Sequence, residues 1–94
     1  MAQRGSHVMV RLRLFAAARQ AAGRGSDEFP LPDGSRLGEL LAAACGRYGP
    51  EFSEVLASAR VWVNGDEPAQ GPETALTDGD EIAVLPPVSG GADT

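Results

Sequence analysis

A short apolar run at residues 82–85 constrains this chain most. It has a turn immediately before it and two prolines immediately after it. Thr77-Asp78-Gly79-Asp80 carries the residues of a tight turn: Asp can bond its own backbone, and Gly accepts positive φ without strain. Pro86 and Pro87 cannot donate ladder hydrogen bonds, so a strand must stop there and the chain must leave it extended. A continuous apolar run of this length suits a strand buried on both faces, paired in parallel at the centre of a sheet. Beyond it, after Val88, Ser89-Gly90-Gly91 carries almost no side-chain bulk. Such a tail is thin enough to thread into another protein's channel.

The rest of the chain supplies partners for that strand. Residues 8–15 alternate, with Val8, Val10, Leu12 and Leu14 on one face and Met9, Arg11, Arg13 and Phe15 on the other. Phe15 either packs beneath the following turn or stays exposed. The Ala-rich stretch 16–22, bounded by Gly23 and Gly25, reads as a short helix. Residues 26–31 form a second strand, which Pro30 and Pro32 confine to a sheet edge. Leu37, Leu40, Leu41, Ala44, Cys45 and Tyr48 recur at helical spacing, so the main helix lays one face on the sheet. Ser35 is its expected N-cap, with Glu39 in the first turn and Gly49-Pro50 as the stop. Residues 51–59 are expected to give a helical turn closing over the core through Phe52, Val55 and Leu56. A strand over 60–64 places Val61 and Val63 on one face and a partly covered Trp62 on the other. Asn64-Gly65 signals a hairpin, with 67–69 as a short return strand. The pattern predicts a small α+β sheet with one main helix and with its first and last strands parallel neighbours at the centre.

Ninety-four residues make one domain. The reading assigns 1–7 to a polar head, 8–87 to the folded domain and 88–94 to the tail. Net charge is −5, which argues against nucleic acid as a partner. All eight basic residues are Arg, so no side-chain amine could accept a second copy in a self-linked chain. A single cysteine excludes an internal disulfide and fits a reducing compartment. Cys45 falls on the helix's apolar face and reads as packing rather than a reactive thiol. No apolar run spans a bilayer, and no signal segment opens the chain, so a cytoplasmic location without a membrane partner is expected. His7, the only histidine, reads as an exposed head residue and offers no metal site. Asp78, Asp80 and Glu81 have no histidine or metal partner and read as a solvated turn. No catalytic constellation is legible, so any catalysis should lie in a partner.

Asp-Gly-Asp-Glu, an apolar run and then Pro-Pro-Val-Ser-Gly-Gly, together with residues 10–19 and Val63-Asn64-Gly65, resemble the MoaD/ThiS family of ubiquitin-like sulfur carriers. Within it the chain is similar to the small subunit of molybdopterin synthase. The resemblance implies a β-grasp fold with a mixed sheet of four to five strands. It also implies a C-terminal Gly91, preceded by Gly90, that an E1-like adenylyltransferase activates with ATP and that then carries a thiocarboxylate. No bound cofactor is expected. Phe15 and Leu85 would lie on a docking patch for that enzyme and for the large synthase subunit, with Pro86, Pro87, Val88 and Ser89 leading the tail into the partner's site. Two departures stand out. Ala92-Asp93-Thr94 follow Gly91, which makes its carbonyl an amide and implies a processing peptidase. Glu67 stands where the family often has an apolar surface residue. Family members with such extensions often supply sulfur for cysteine, thiosugars or other metabolites, which keeps open a carrier role for cysteine, thiamine or a secondary metabolite. Two further readings also remain open: a non-reactive β-grasp interaction module, and a protein modifier attached singly.

Overall fold

In the computed structural model, which describes residues 7–87, the alternation of the first strand sets the layers. Strand β1 (His7–Leu14) buries Val8, Val10, Leu12 and Leu14 and turns Met9, Arg11 and Arg13 to the other face. It begins at His7, one residue before the expected boundary, because His7 pairs with Pro32 of the neighbouring strand. Helix α1 (Ala16–Ala22) follows and ends on Gly23 in the left-handed region. Strand β2 (Ser26–Pro32) pairs antiparallel with β1 and lies at one edge. Pro30 and Pro32 fit there because an edge position needs no second ladder partner.

Helix α2 (Leu37–Tyr48) buries Leu37, Leu40 and Ala44, with Leu41, Cys45 and Tyr48 packed at the margin of the core. Its N-cap is Arg36, not Ser35. The Ser35 hydroxyl donates to the Pro32 carbonyl at 2.7 Å and closes the preceding turn instead. The Glu39 carboxylate takes over the capping task by accepting the Arg36 N–H at 2.7 Å. A guanidinium has no acceptor, so only this half of a capping box forms. After Gly49, residues 51–59 exceed the single turn expected. Helix α3 (Pro50–Ser58) starts on a proline at its first position, which needs no N–H there, and buries Phe52 completely.

Strand β3 (Arg60–Val63) and strand β4 (Glu81–Leu85) pair antiparallel, and β4 lies parallel beside β1. The sheet order is β2-β1-β4-β3, so the first and last strands are the central pair, as the apolar pattern predicts. This is a β-grasp. No fifth strand forms over 67–69. Asn64-Gly65 makes the hairpin turn, but only Val63 and Asp66 bridge, and Pro68 has no N–H to extend the ladder. The chain returns instead through a 3₁₀ turn, Gly71–Glu73. Burial of β4 also differs from expectation. Helices cover one face only, so Ile82 and Val84 are fully buried while Ala83 and Leu85 are half-buried on the open face.

A charged cluster fastens β2 to α2. Asp27 Oδ2 accepts from Tyr48 O–H at 2.7 Å and from Arg47 Nη1 at 2.9 Å, and Arg24 reaches Oδ1 at 3.3 Å. The Arg47 guanidinium lies 3.8 Å from the Phe29 ring centroid. Burial pushes the Asp27 carboxyl up, but the hydrogen bonds from Tyr48, Arg47 and the Glu28 N–H outweigh it and hold the pKa down at about 2. Burial, then the bond to Asp27, raises Tyr48 to about 12. Because Asp27 titrates below its usual 3.8 when folded, the cluster's stabilisation is present above about pH 4 and lost as pH falls through about 2. Asp27→Asn should therefore lower unfolding free energy by about 1–2 kcal/mol at pH 7. The gap from the parent should close near pH 2. Urea denaturation at both pH values checks this, and an undiminished gap in acid would contradict it.

Candidate functional site

The site is the root of the tail, and backbone pairing places it. Leu14 of β1 stands opposite Val84 of β4, and the Phe15 N–H donates to the Val84 carbonyl at 3.2 Å. Leu85 is opposite Arg60 on the other side. The last strand is therefore held from both flanks up to the residue before Pro86. Pro86 and Pro87 are exposed. Val88, Ser89, Gly90 and Gly91, named from the sequence as the arm and its reactive end, lie outside the described residues, as do Ala92, Asp93 and Thr94.

Phe15 resolves in favour of exposure: it is 37% accessible and caps α1 through its backbone while its ring stays outside the core. Its carbonyl accepts from the Ala18 N–H at 3.1 Å. Ala16, next along the chain, takes φ +53°, an uncommon conformation for a residue with a Cβ, and turns the strand into the helix. The Arg13 guanidinium lies 5.6 Å from the Phe15 ring centroid and 3.2 Å from Glu81. Phe15 and Leu85 thus end adjacent central strands on the open face. Trp62 is partly covered, as expected: it is 37% exposed on that same face, where it stands opposite Ala83. A Trp between two inward valines faces away from the core, as the alternation predicts.

The other end of β4 sets the register that delivers Leu85 to the surface. The Asp78 carboxylate accepts the Met9 N–H at 2.7 Å, and the Gly79 N–H donates to the Met9 carbonyl at 2.8 Å. Asp80 accepts from the Thr77 N–H at 2.8 Å and hydroxyl at 3.0 Å, and from Asn64 Nδ2 at 3.0 Å. The Glu81 N–H donates to Asn64 Oδ1 at 2.9 Å. These acids therefore bind backbone as well as facing water, beyond the solvated turn read from sequence. Burial pushes Asp80 up, but the hydrogen bonds from Asn64 and Thr77 prevail and lower its pKa. A one-residue slip of β4 would exchange Leu85 and Val84 between the surface and the core. The Asn64 ties oppose that slip, and sequence reading saw only a hairpin there. Glu67 meets Arg60 at 3.3 Å, an exposed pair beside the open face. Among the described residues, no group of three or more His, Cys, Asp or Glu side chains is placed to hold a metal ion, and no helix is long and apolar enough to cross a membrane.

Residues 12–91 match the ThiS family. The chain is 32% identical over 84 residues to the molybdopterin synthase sulfur carrier subunit of Chlamydomonas reinhardtii, covering 89% of this chain and all of the relative. It is 35% identical to small archaeal modifier protein 3 of Haloferax volcanii, covering 85% of this chain and 96% of that one. Among solved structures, a putative molybdopterin converting factor subunit 1 from Pyrococcus furiosus superposes with a TM-score of 0.77 at 32% identity, over 86% of this chain and 99% of that one. The chain belongs to the ThiS family.

Asn64 tests the register anchor. It holds two side-chain hydrogen bonds and sits at φ +52°, which Ala tolerates poorly. Asn64→Ala should lower unfolding free energy by about 2 kcal/mol in urea denaturation. It should also speed hydrogen exchange at the Glu81 amide. A loss under about 0.5 kcal/mol, the range of an ordinary surface substitution, would show that the ties are dispensable.

Proposed function

We propose that this member of the ThiS family is a sulfur carrier, the small subunit of a molybdopterin synthase, and that its reacting atom is the Gly91 carbonyl carbon. What carries the reading is the order of parts at the end of the chain. A rigidly registered strand ends at Leu85, two prolines stiffen the exit, and two glycines follow. Family membership supports it, since the match extends to residue 91. So do the relatives named as sulfur carrier subunits.

The chemistry asks little of the carrier itself. A carboxylate is a poor acyl donor because oxide is a poor leaving group. An E1-like adenylyltransferase joins the Gly91 carboxylate to AMP, using ATP and releasing pyrophosphate. Hydrosulfide then displaces AMP directly, or a persulfide does so through an acyl disulfide that a second thiol cleaves. Either route leaves a thiocarboxylate. The large synthase subunit takes the tail into its site, and the thiocarboxylate sulfur attacks the pterin precursor there. Catalysis belongs to those partners, in the cytoplasm. Glycine suits the end because a Cβ beside the reacting carbon would crowd a channel that grips the tail on all sides. With Ala92 following, Gly91 holds an amide, so a peptidase must first expose its carboxylate.

The similarity to an archaeal modifier protein favours a second reading, in which Gly91 is joined to a lysine of another protein. The absence of lysine in this chain limits that reading to single attachment.

Two variants test the proposal with purified activating enzyme, sulfur donor and large subunit. Gly91→Ala, in a chain ending at residue 91, should keep the parent's stability and lose at least about 90% of thiocarboxylate yield, a tenfold effect worth about 1.4 kcal/mol. Normal yield would remove the narrow-channel argument. Phe15→Arg should weaken docking at least tenfold while unfolding free energy stays within about 1 kcal/mol of the parent. Severe unfolding would return Phe15 to the core.

A further inference from the structure

Asp or Asn stands directly before glycine at three places: Asp33-Gly34, Asn64-Gly65 and Asp78-Gly79. Such pairs share one spontaneous reaction. The glycine backbone nitrogen gives up its proton, attacks the preceding side-chain carbonyl carbon and closes a cyclic imide. Glycine allows this because no Cβ shields its nitrogen. Asp loses water in the step and Asn loses ammonia. Water then adds to the imide and opens it. Where the ring breaks at the backbone carbonyl, the chain runs on through the side-chain carbon as isoaspartate. Nothing is oxidised or reduced, and water is the only co-reactant. In an unfolded chain Asn64 should react first, because at neutral pH an amide is a better electrophile than a carboxylate.

All three pairs are exposed, so burial does not rank them. Hydrogen bonds do. Asn64 donates to Asp80 at 3.0 Å and accepts the Glu81 N–H at 2.9 Å. Both bonds must break before its amide can close on Gly65. Asp78 accepts the Met9 N–H at 2.7 Å, and the attacking group of that pair, the Gly79 N–H, is donated to the Met9 carbonyl at 2.8 Å. Met9 lies on a central strand, so freeing this pair means opening the sheet. The turn at Asp33 is tied differently. The Ser35 N–H at 3.1 Å and the Ser35 hydroxyl at 2.7 Å both donate to the Pro32 carbonyl. These bonds span the reactive pair without touching it. Among the described residues, neither the Asp33 carboxylate nor the Gly34 N–H has a hydrogen-bond partner.

We infer that Asp33 is a modification site, the position at which the folded chain converts to isoaspartate. The fold thus inverts the order that the residue types alone set. The product carries its free carboxylate on the α-carbon and places one extra backbone atom between Pro32 and Ser35. Ser35 is only 5% exposed, so a hydroxyl displaced there loses its acceptor inside the fold. Pro32 stands opposite His7 at the start of β1, whereas the tail root lies beyond the other end of that strand. Conversion therefore loosens the join between β2 and α2 and leaves the tail root in place. The inference goes beyond the carrier reading and stands without it.

The test holds the full chain for several weeks at neutral pH and physiological temperature. The digest is then resolved by chromatography and electron-transfer mass spectrometry, which separate isoaspartate peptides from their parents. Conversion at residue 33 should exceed that at residue 64 or 78 at least about tenfold. Asp33→Glu, whose imide ring is larger and slower to close, should remove the signal and leave the thermal melt unchanged. In urea the order should reverse, with Asn64 leading. Equal or greater conversion at residue 64 or 78 in the folded chain overturns the inference. So does an order in urea that matches the folded one, because the fold would then not set it. Absence of isoaspartate at residue 33, when the urea sample has reacted there, overturns it as well.

Discussion

The parallel pairing of β1 with β4 is the constraint on which this structure depends. It joins the first strand to the last, in a register running from Arg11 opposite Glu81 to Leu14 opposite Val84. Such a contact closes nearly the whole chain into a loop before it gives anything back. The buried row of Leu12, Leu14, Ile82 and Val84 is what offsets that cost. The same pairing places the end of β4 beside Phe15. Fold and site are thus one decision: the contacts that close the core also choose where the tail leaves.

That arrangement fixes the strand that leads to the tail. The strand is held by ladder pairing on both sides as far as Val84 and by Arg60 at Leu85, and the Asn64–Asp80 ties hold its start. The two prolines then stop the sheet without folding back. On the proposed carrier reading, partners meet a face whose register is fixed as far as the strand runs. The Asp27 cluster plays a different part. It fastens β2 to α2.

Much of this was legible from residue order. The period-two alternation of Val8, Val10, Leu12 and Leu14 and the spacing of Leu37, Leu40 and Ala44 named the core on each side. The proline pairs marked the sheet's limits. The misreadings share a cause, which is that local pattern does not show what a side chain meets across space. Ser35 resembles an N-cap, but the Pro32 carbonyl claims its hydroxyl. Residues 82–85 look buried on both faces, but three helical segments all lie on one side. The acids of the turn look solvated, but Met9, sixty-nine residues from Asp78, brings its N–H to that carboxylate.

The central claim is that this fold exists to present one activated carbonyl to enzymes that make the bonds. The most direct measurement is the intact mass of the protein taken from its native cells. The account predicts a chain that ends at Gly91, with a fraction in which one terminal oxygen is replaced by sulfur. A population that retains Ala92, Asp93 and Thr94 throughout, with no sulfur-bearing form, would contradict it.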